Sequence, residues 1–383
     1  MNIKVLLASF GIGLISCGSA NASIPADVIR SFNAALEGND PSAVIQTAEA
    51  LIASAAENPD DPAARGAAFE AGTQLCLRNA CDRALAAAQL MAGAPNEEVS
   101  GELGTLLVAY AGWSAAQTPG NTAALKSALE RVVPKPPTLL TVSAFDRFQL
   151  ARLKEGILPE IRWAAEQAAA HYKPFWSVIP ENWGAAELSA AAAEFNETKS
   201  DDVLERFAKL EVAMYPFKLA GLDDRPSLER IYYQAYAWRL AADSYFKSTD
   251  NRSTFKAKAA ESFVETETRR LAEAHYATRE REPPHCTGRM VQPPKPEFPK
   301  SAAEAGYVGA VIVGFEINDG RVENARILAS VPDSTFEAAV LDSMRPIRWE
   351  YDAVQNVPDC KRSGDAIYPF NFLFEAPERS ILR

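Results

Sequence analysis

The sequence predicts a multidomain chain of α and α+β type, in which an all-α helical-repeat region of α-solenoid character precedes a small two-layer ββαβ domain. Three observations predict it. Ala-rich helical periodicity runs almost unbroken from about Ser23 to Glu280, proline clusters follow from Pro283-Pro284 through Pro299, and beyond them the apolar period switches from helical spacing to alternation. At 383 residues and 48% apolar content the chain can bury a large core and divide into two or three domains. Its net charge of −11 at pH 7 excludes nucleic acid and acidic membrane surfaces as natural partners and leaves proteins.

In chain order, residues 1–22 come first. Lys4, the apolar run Val5 to Ile15 and the small-x-small pattern Ala20-Asn21-Ala22 describe a secretory signal peptide, cleaved to leave Ser23 as the first residue. Leu14-Ile15-Ser16-Cys17 also approximates a lipoprotein box with Cys17 as the acylated residue. An uncleaved anchor is the third reading, but a spanning helix needs about 20 apolar residues, and Ser16, Ser19 and Asn21 interrupt this one.

The helical region divides at Pro134-Lys135-Pro136-Pro137 into halves over 23–133 and 138–280. Turns such as Asn58-Pro59-Asp60-Asp61-Pro62 and Thr118-Pro119-Gly120-Asn121 punctuate it into helix pairs. The segments Ala109 to Ala116 and Ala235 to Ala242 share an Ala-Tyr-Ala start and a tryptophan, a degenerate repeat that points to tetratricopeptide-like pairs. Residues 281–299 read as a Pro-rich linker, a semi-rigid spacer that leads into the last domain.

In that domain Val311, Val313, Phe315 and Ile317 line one face of a half-buried strand, with Ile312, Gly314 and Glu316 between them. Asn318-Asp319-Gly320 supplies a tight turn. Ala325, Ile327 and Ala329 then alternate against Asn324, Arg326 and Leu328 as the second strand of a hairpin. Ser334 with Glu337 forms a capping box for a helix whose stripe is Phe336, Val340, Met344 and Ile347. Tyr368, Phe370, Phe372 and Phe374 line a final strand, a stripe expected in the core beneath the helix with Phe336 and Trp349. Pro369 inside that strand cannot donate to a ladder, so the strand lies at an edge or carries a bulge.

This order resembles the C-terminal domain of the TonB family over residues 290–376. The matching residues are Pro296-Glu297-Phe298-Pro299, Ala302 to Gly309, Val311 to Phe315, Asp319-Gly320-Arg321-Val322, Phe336 to Val340, Arg348-Trp349-Glu350-Tyr351 and Pro369-Phe370-Asn371-Phe372. Lys295 and Phe298 stand where the family usually has glutamine and tyrosine, and the segment Asp352 to Asp365 is longer than usual. The resemblance implies a periplasmic domain that grips a short peptide segment of outer-membrane TonB-dependent transporters. In full-length members it also implies a membrane anchor coupled to a proton-driven motor. It assigns partner binding to Lys295, Pro296, Phe298 and Pro299 at the entrance, and to Ile367, Tyr368, Phe370, Asn371, Phe372 and Phe374 in the last strand. The expected function is a periplasmic TonB-like protein that binds transporter peptides by β-augmentation. The alternative is a non-energised envelope scaffold or cell-wall-associated protein-binding module. Other envelope proteins are expected on the helical region.

Beyond Cys17, the chain holds Cys76, Cys81, Cys286 and Cys360, an even number that allows three connectivities. Cys76 with Cys81 and Cys286 with Cys360 is the favoured pairing: one bridge across a local corner, the other across the C-terminal domain. His285 beside Cys286 has no second ligand at metal spacing, so neither metal nor other cofactor is expected. Ser253-Thr254-Phe255-Lys256 fits the S-x-x-K nucleophile pattern, but its companion K-T-G strand is absent and Ser253 reads as a helix N-terminal residue. The histidines, His171, His275 and His285, lie in no triad pattern, and a surface or half-buried place is expected for them. No catalytic residues are assigned, and the chain is not expected to be an enzyme.

Overall fold

The computed structural model describes residues 24–92, 101–219, 226–249, 254–277, 288–291, 293–318, 320–351 and 362–373. The leader with Cys17, the second half-pair Cys286 and Cys360, His285, Ser253, Asp319 and Phe374 all lie outside these residues. The chain forms two compact units, Met1–Asn182 and Trp183–Arg383.

The first unit is helical. Its helices are α1 (Ala26–Gly38), α2 (Pro41–Ala56), α3 (Pro62–Leu77), α4 (Leu85–Ala92), α5 (Glu102–Ala115), α6 (Pro119–Val132), α7 (Leu139–Glu155) and α8 (Leu158–Tyr172). The turns visible in the sequence become helix starts. Asp40 and Asp61 accept hydrogen bonds from Ser42 N at 3.0 Å and Ala63 N at 2.9 Å, each with a proline at the first helical position. Thr118 caps α6 in the same way, and Thr138 and Thr141 form a reciprocal capping box on α7. Each helix packs on its sequence neighbour, as a helix-pair array requires. The Pro134–Pro137 stretch is a turn inside this unit, because α6 on one side packs against both α7 and α8 on the other. The contact boundary falls instead at Asn182/Trp183.

His171 departs from its expected surface or half-buried place. It is 0% exposed, its Nδ1 lies 3.0 Å from the Val133 carbonyl and its Nε2 3.1 Å from Thr141 Oγ1. Phe145 and Tyr172 enclose its ring. Helix stop and helix start are thereby tied to one imidazole.

The second unit holds α9 (Pro180–Thr198), α10 (Val203–Leu219), α11 (Pro226–Thr249) and α12 (Thr254–Ala277). These are followed by β1 (Gly288–Met290), α13 (Lys300–Ala305), β2 (Gly309–Asn318), β3 (Arg321–Val331), α14 (Glu337–Met344), β4 (Trp349–Tyr351) and β5 (Arg362–Phe372). The sheet has the order β3-β2-β5, antiparallel throughout, and a separate ribbon pairs β1 with β4. On one sheet face Val311, Val313, Phe315 and Ile317 meet Phe336, Val340, Met344 and Ile347, the stripe read from the sequence.

The other face corrects an expectation. Strand β2 is not half-buried: Ala310 and Ile312 are 0% exposed as well, because Leu228, Ile231, Tyr232 and Ala235 of α11 cover them. Strand β3 adapts to this second cover. Between Ile312↔Ala329 and Val313↔Ile327 the register shifts, so Leu328 is an extra residue. As a result Ala325 and Ile327 face α14, while Ala329 and Val331 face α11. The simple alternation of Ala325, Ile327 and Ala329 is broken there. A second shift accompanies Asn324, which adopts φ +50°, a left-handed conformation that asparagine tolerates.

Helix α14 begins at Glu337, two residues later than its sequence cap suggests. Glu337 Oε1 does accept from Ser334 N at 3.0 Å, which is half of the expected box. Lys256 of the S-x-x-K pattern is held by Asp201 at 2.7 Å and Asp202 at 2.9 Å. No helix of the described residues is long and apolar enough to cross a membrane.

Helices α10 and α11 are joined at Glu211 and Arg239, both nearly buried, with Nε to Oε2 at 2.8 Å. Burial raises the Glu211 pKa, an effect the Arg239 charge opposes. Removing one partner strands a buried charge and costs about 3–5 kcal/mol, whereas replacing both with apolar groups of similar shape is close to neutral. Arg239→Met is therefore expected to lower the second unit's stability by about that amount in chemical denaturation, and Arg239→Met with Glu211→Leu to recover most of it.

In the first unit, burial lowers the pKa of His171. The unfolded chain then takes up a proton at about 6.5 before the folded chain does. Stability is fully present above that pH and falls as pH drops below it. Thermal unfolding between pH 7.5 and 5.5 should show this loss, and His171→Gln should flatten it.

Candidate functional site

The site is built on β5. In the sheet order β3-β2-β5 this strand has one neighbour, so among the described residues its outer backbone edge is unpaired. Its register runs from Gly309↔Phe372 to Asn318↔Arg362, with a shift between Phe315 and Ile317. Pro369 sits opposite Ile312 within the strand. Of the two alternatives read from that proline the edge position is present, while the register shift lies between Ser363 and Ala366, away from Pro369.

Side chains of β5 leave alternately to the two covered faces. Phe370 and Phe372 are 5% and 4% exposed, and Phe372 stacks on Phe336 at 4.1 Å between centroids. Tyr368 is half-buried beside Phe370 on the same face, and Ile367 packs toward α11. Asn371 is exposed. Gly309 is required at the end of β2, since a Cβ there would collide with the Val331 carbonyl and the Phe336 ring.

The entrance segment is held at both ends. Val291 N donates to the Arg348 carbonyl at 2.9 Å beside the β1–β4 ribbon, and Gly288 lies flat against Trp349 and Glu350. Arg289 and Glu350 form an exposed ion pair across that ribbon. At the far end Phe298 meets the stacked pair edge-on, 5.5 Å from Phe336 and 5.7 Å from Phe372. Pro299 precedes the first turn of α13. Pro296 is half-buried and Lys295 exposed. The described part of the Pro-rich segment is thus docked on the domain, and α11 packs directly on the sheet that the segment leads into.

Residues 294–373 match the family model described as Gram-negative bacterial TonB protein C-terminal. This segment is a TonB-family C-terminal domain. Over 61 residues the chain is 43% identical to Protein TonB of Yersinia enterocolitica, a match that covers 16% of this chain and 23% of that protein. The chain therefore spans under a quarter of that relative's length, and the helices before the TonB-type domain lie outside the matched region.

Of the residues assigned to partner binding, the structure brings Phe298, Phe370 and Phe372 together as packing, and leaves Lys295 and Asn371 exposed. The sequence reading missed Tyr307 and Leu373, which are 52% and 38% exposed at the end of the sheet where Gly309 meets Phe372. It also missed the β1–β4 ribbon. Three-residue strands carry no periodicity of their own, and Gly288 was the only local signal. Among the described residues no group of acidic, histidine or cysteine side chains could hold a metal.

Since Phe298 fills the end of the aromatic stack, Phe298→Ala is expected to lower the stability of the second unit by about 2 kcal/mol, read as a shift in the denaturation midpoint at unchanged slope.

Proposed function

We propose that the protein is a periplasmic TonB-like protein whose C-terminal domain binds the peptide segment of an outer-membrane transporter by adding it as a strand to the open edge of β5. The single observation that carries this reading is the position of β5: among the described residues a TonB-family domain presents a strand edge with no neighbour, while Phe370 and Phe372 are already used in the core. Recognition then falls to the main chain of β5, with Asn371, Lys295, Tyr307 and Leu373 as flanking side chains. Export by the leader places this edge in the periplasm, and transport is the process it serves.

The alternative, a non-energised envelope scaffold, has one observation in its favour. The sheet face that α11 covers makes the domain an integral part of a helical body rather than the tip of a free linker.

A main-chain mechanism separates two substitutions at one exposed position. Asn371→Pro removes a backbone donor and is expected to weaken binding of a synthetic transporter-plug peptide at least tenfold in fluorescence polarisation. Asn371→Ser keeps the donor and should bind within about twofold of the unaltered protein. Equal affinity of all three proteins would argue against strand addition at β5.

A further inference from the structure

The second candidate surface lies in the first unit, far in sequence from the TonB-type domain. A cavity of about 320 Å³ opens between α5, α7 and the turn that follows α3, within the size range of ligand-binding clefts. Two helix faces of the same spacing line it. From α5 and the turn after it come Tyr110, Trp113, Ser114 and Gln117. From α7 come Arg147, Leu150, Ala151 and Lys154. Both sets fall at i, i+3, i+4 and i+7, one continuous helix face each.

The end wall is the turn with Asn79, Cys81 and Asp82. Asn79 adopts φ +64°, and the Cys76–Cys81 disulfide closes the loop around it. Arg152, behind the lining, bonds the lining residues Gln117 at 3.1 Å and Glu155 at 2.9 Å and lies over the Trp113 ring.

The charges in this cavity are unequal in how they are used. Arg152 is matched by Glu155 and Glu160. Arg147 feels the charge of its neighbour Asp146, but neither it nor Lys154 makes an ion pair among the described residues. Between these two cations Leu150 stands 42% exposed, and Leu153 beside the rim is 63% exposed. Trp113, whose ring lines the cavity, is 3% exposed, and its buried Nε1 has no hydrogen-bond acceptor. Asp82 lines the end wall, on the turn that follows α3 rather than on α7.

We propose that this cavity binds an extended acidic segment of a partner protein, two carboxylates engaging Arg147 and Lys154 and an apolar side chain resting on Leu150 and the Tyr110–Trp113 floor. The spacing fits. At 1.5 Å per residue the two cations stand about 10 Å apart along α7, roughly three residues of extended chain. The recognised pattern is therefore acid, apolar, any residue, acid. An extended segment in polyproline II geometry has three residues per turn and about 3.1 Å rise per residue, so carboxylates three apart fall on one side, about 9 Å from each other.

The probe is acetyl-Glu-Leu-Ala-Glu-amide titrated calorimetrically into the full chain, against acetyl-Gln-Leu-Ala-Gln-amide. The acidic peptide should bind saturably below about 1 mM, at least tenfold tighter than the neutral one, and more weakly as salt rises. Arg147→Gln with Lys154→Gln, neither of which removes an internal ion pair, should abolish the difference between the two peptides without lowering the melting temperature. Ala151→Trp, which fills the cavity, should abolish binding altogether. Equal binding of both peptides, undiminished binding to either variant, or no saturable binding up to about 10 mM would each overturn the proposal.

Discussion

The burial of β2 on both faces is the constraint on which the second unit depends. A strand in a two-layer domain needs apolar residues on one side only, whereas Ala310 and Ile312 are as fully enclosed as Val311 and Val313. That second enclosure calls for α11, and α11 in turn is fixed to α10 by the Glu211–Arg239 pair. It also explains β3, whose extra Leu328 turns Ala329 and Val331 toward the helix. A strand in perfect alternation with β2 would have presented polar residues to one of the two covers. The bulges are thus a response to three-layer packing.

The same packing separates structure from recognition in β5. Phe370 and Phe372 are committed to the stack with Phe336 and Phe298, so an aromatic strand that looks adhesive in sequence has few side chains to offer. What is left is the backbone edge. The other edge of the sheet, β3, is rimmed by exposed Arg321, Glu323 and Arg326 and bent at Asn324, features that discourage strand pairing. The two edges of one sheet are therefore chemically unlike.

Much of this was legible in the sequence, and for identifiable reasons. Proline with a preceding aspartate or threonine fixed the helix starts at Pro41, Pro62 and Pro119, since both cap and turn chemistry are local. The apolar stripe of α14 and the hairpin around Gly320 were local as well. The helix on the second sheet face was not legible, because α11 buries residues on nearly every side and a single chain pattern does not say which neighbour each side meets. Ile312 was read as lying between the apolar positions of a half-buried strand, when it and Ala310 are core. His171 failed for a related reason: its partners, Val133 and Thr141, are distant in sequence, and nothing near it announced them. For the edge site the proline in β5 was informative, and the aromatic stripe was read as core, where Phe370 and Phe372 lie.

The double cover of β2 also defines a path for tension. A chain drawn along the edge of β5 loads the antiparallel ladder to β2 in shear, with many hydrogen bonds resisting together. Strand β2 cannot yield alone, since α14 grips it on one face and α11 on the other. Behind the sheet, the Glu211–Arg239 pair ties α11 to α10. A load on the edge of β5 would therefore meet the domain's flank, where α11 and α14 hold β2.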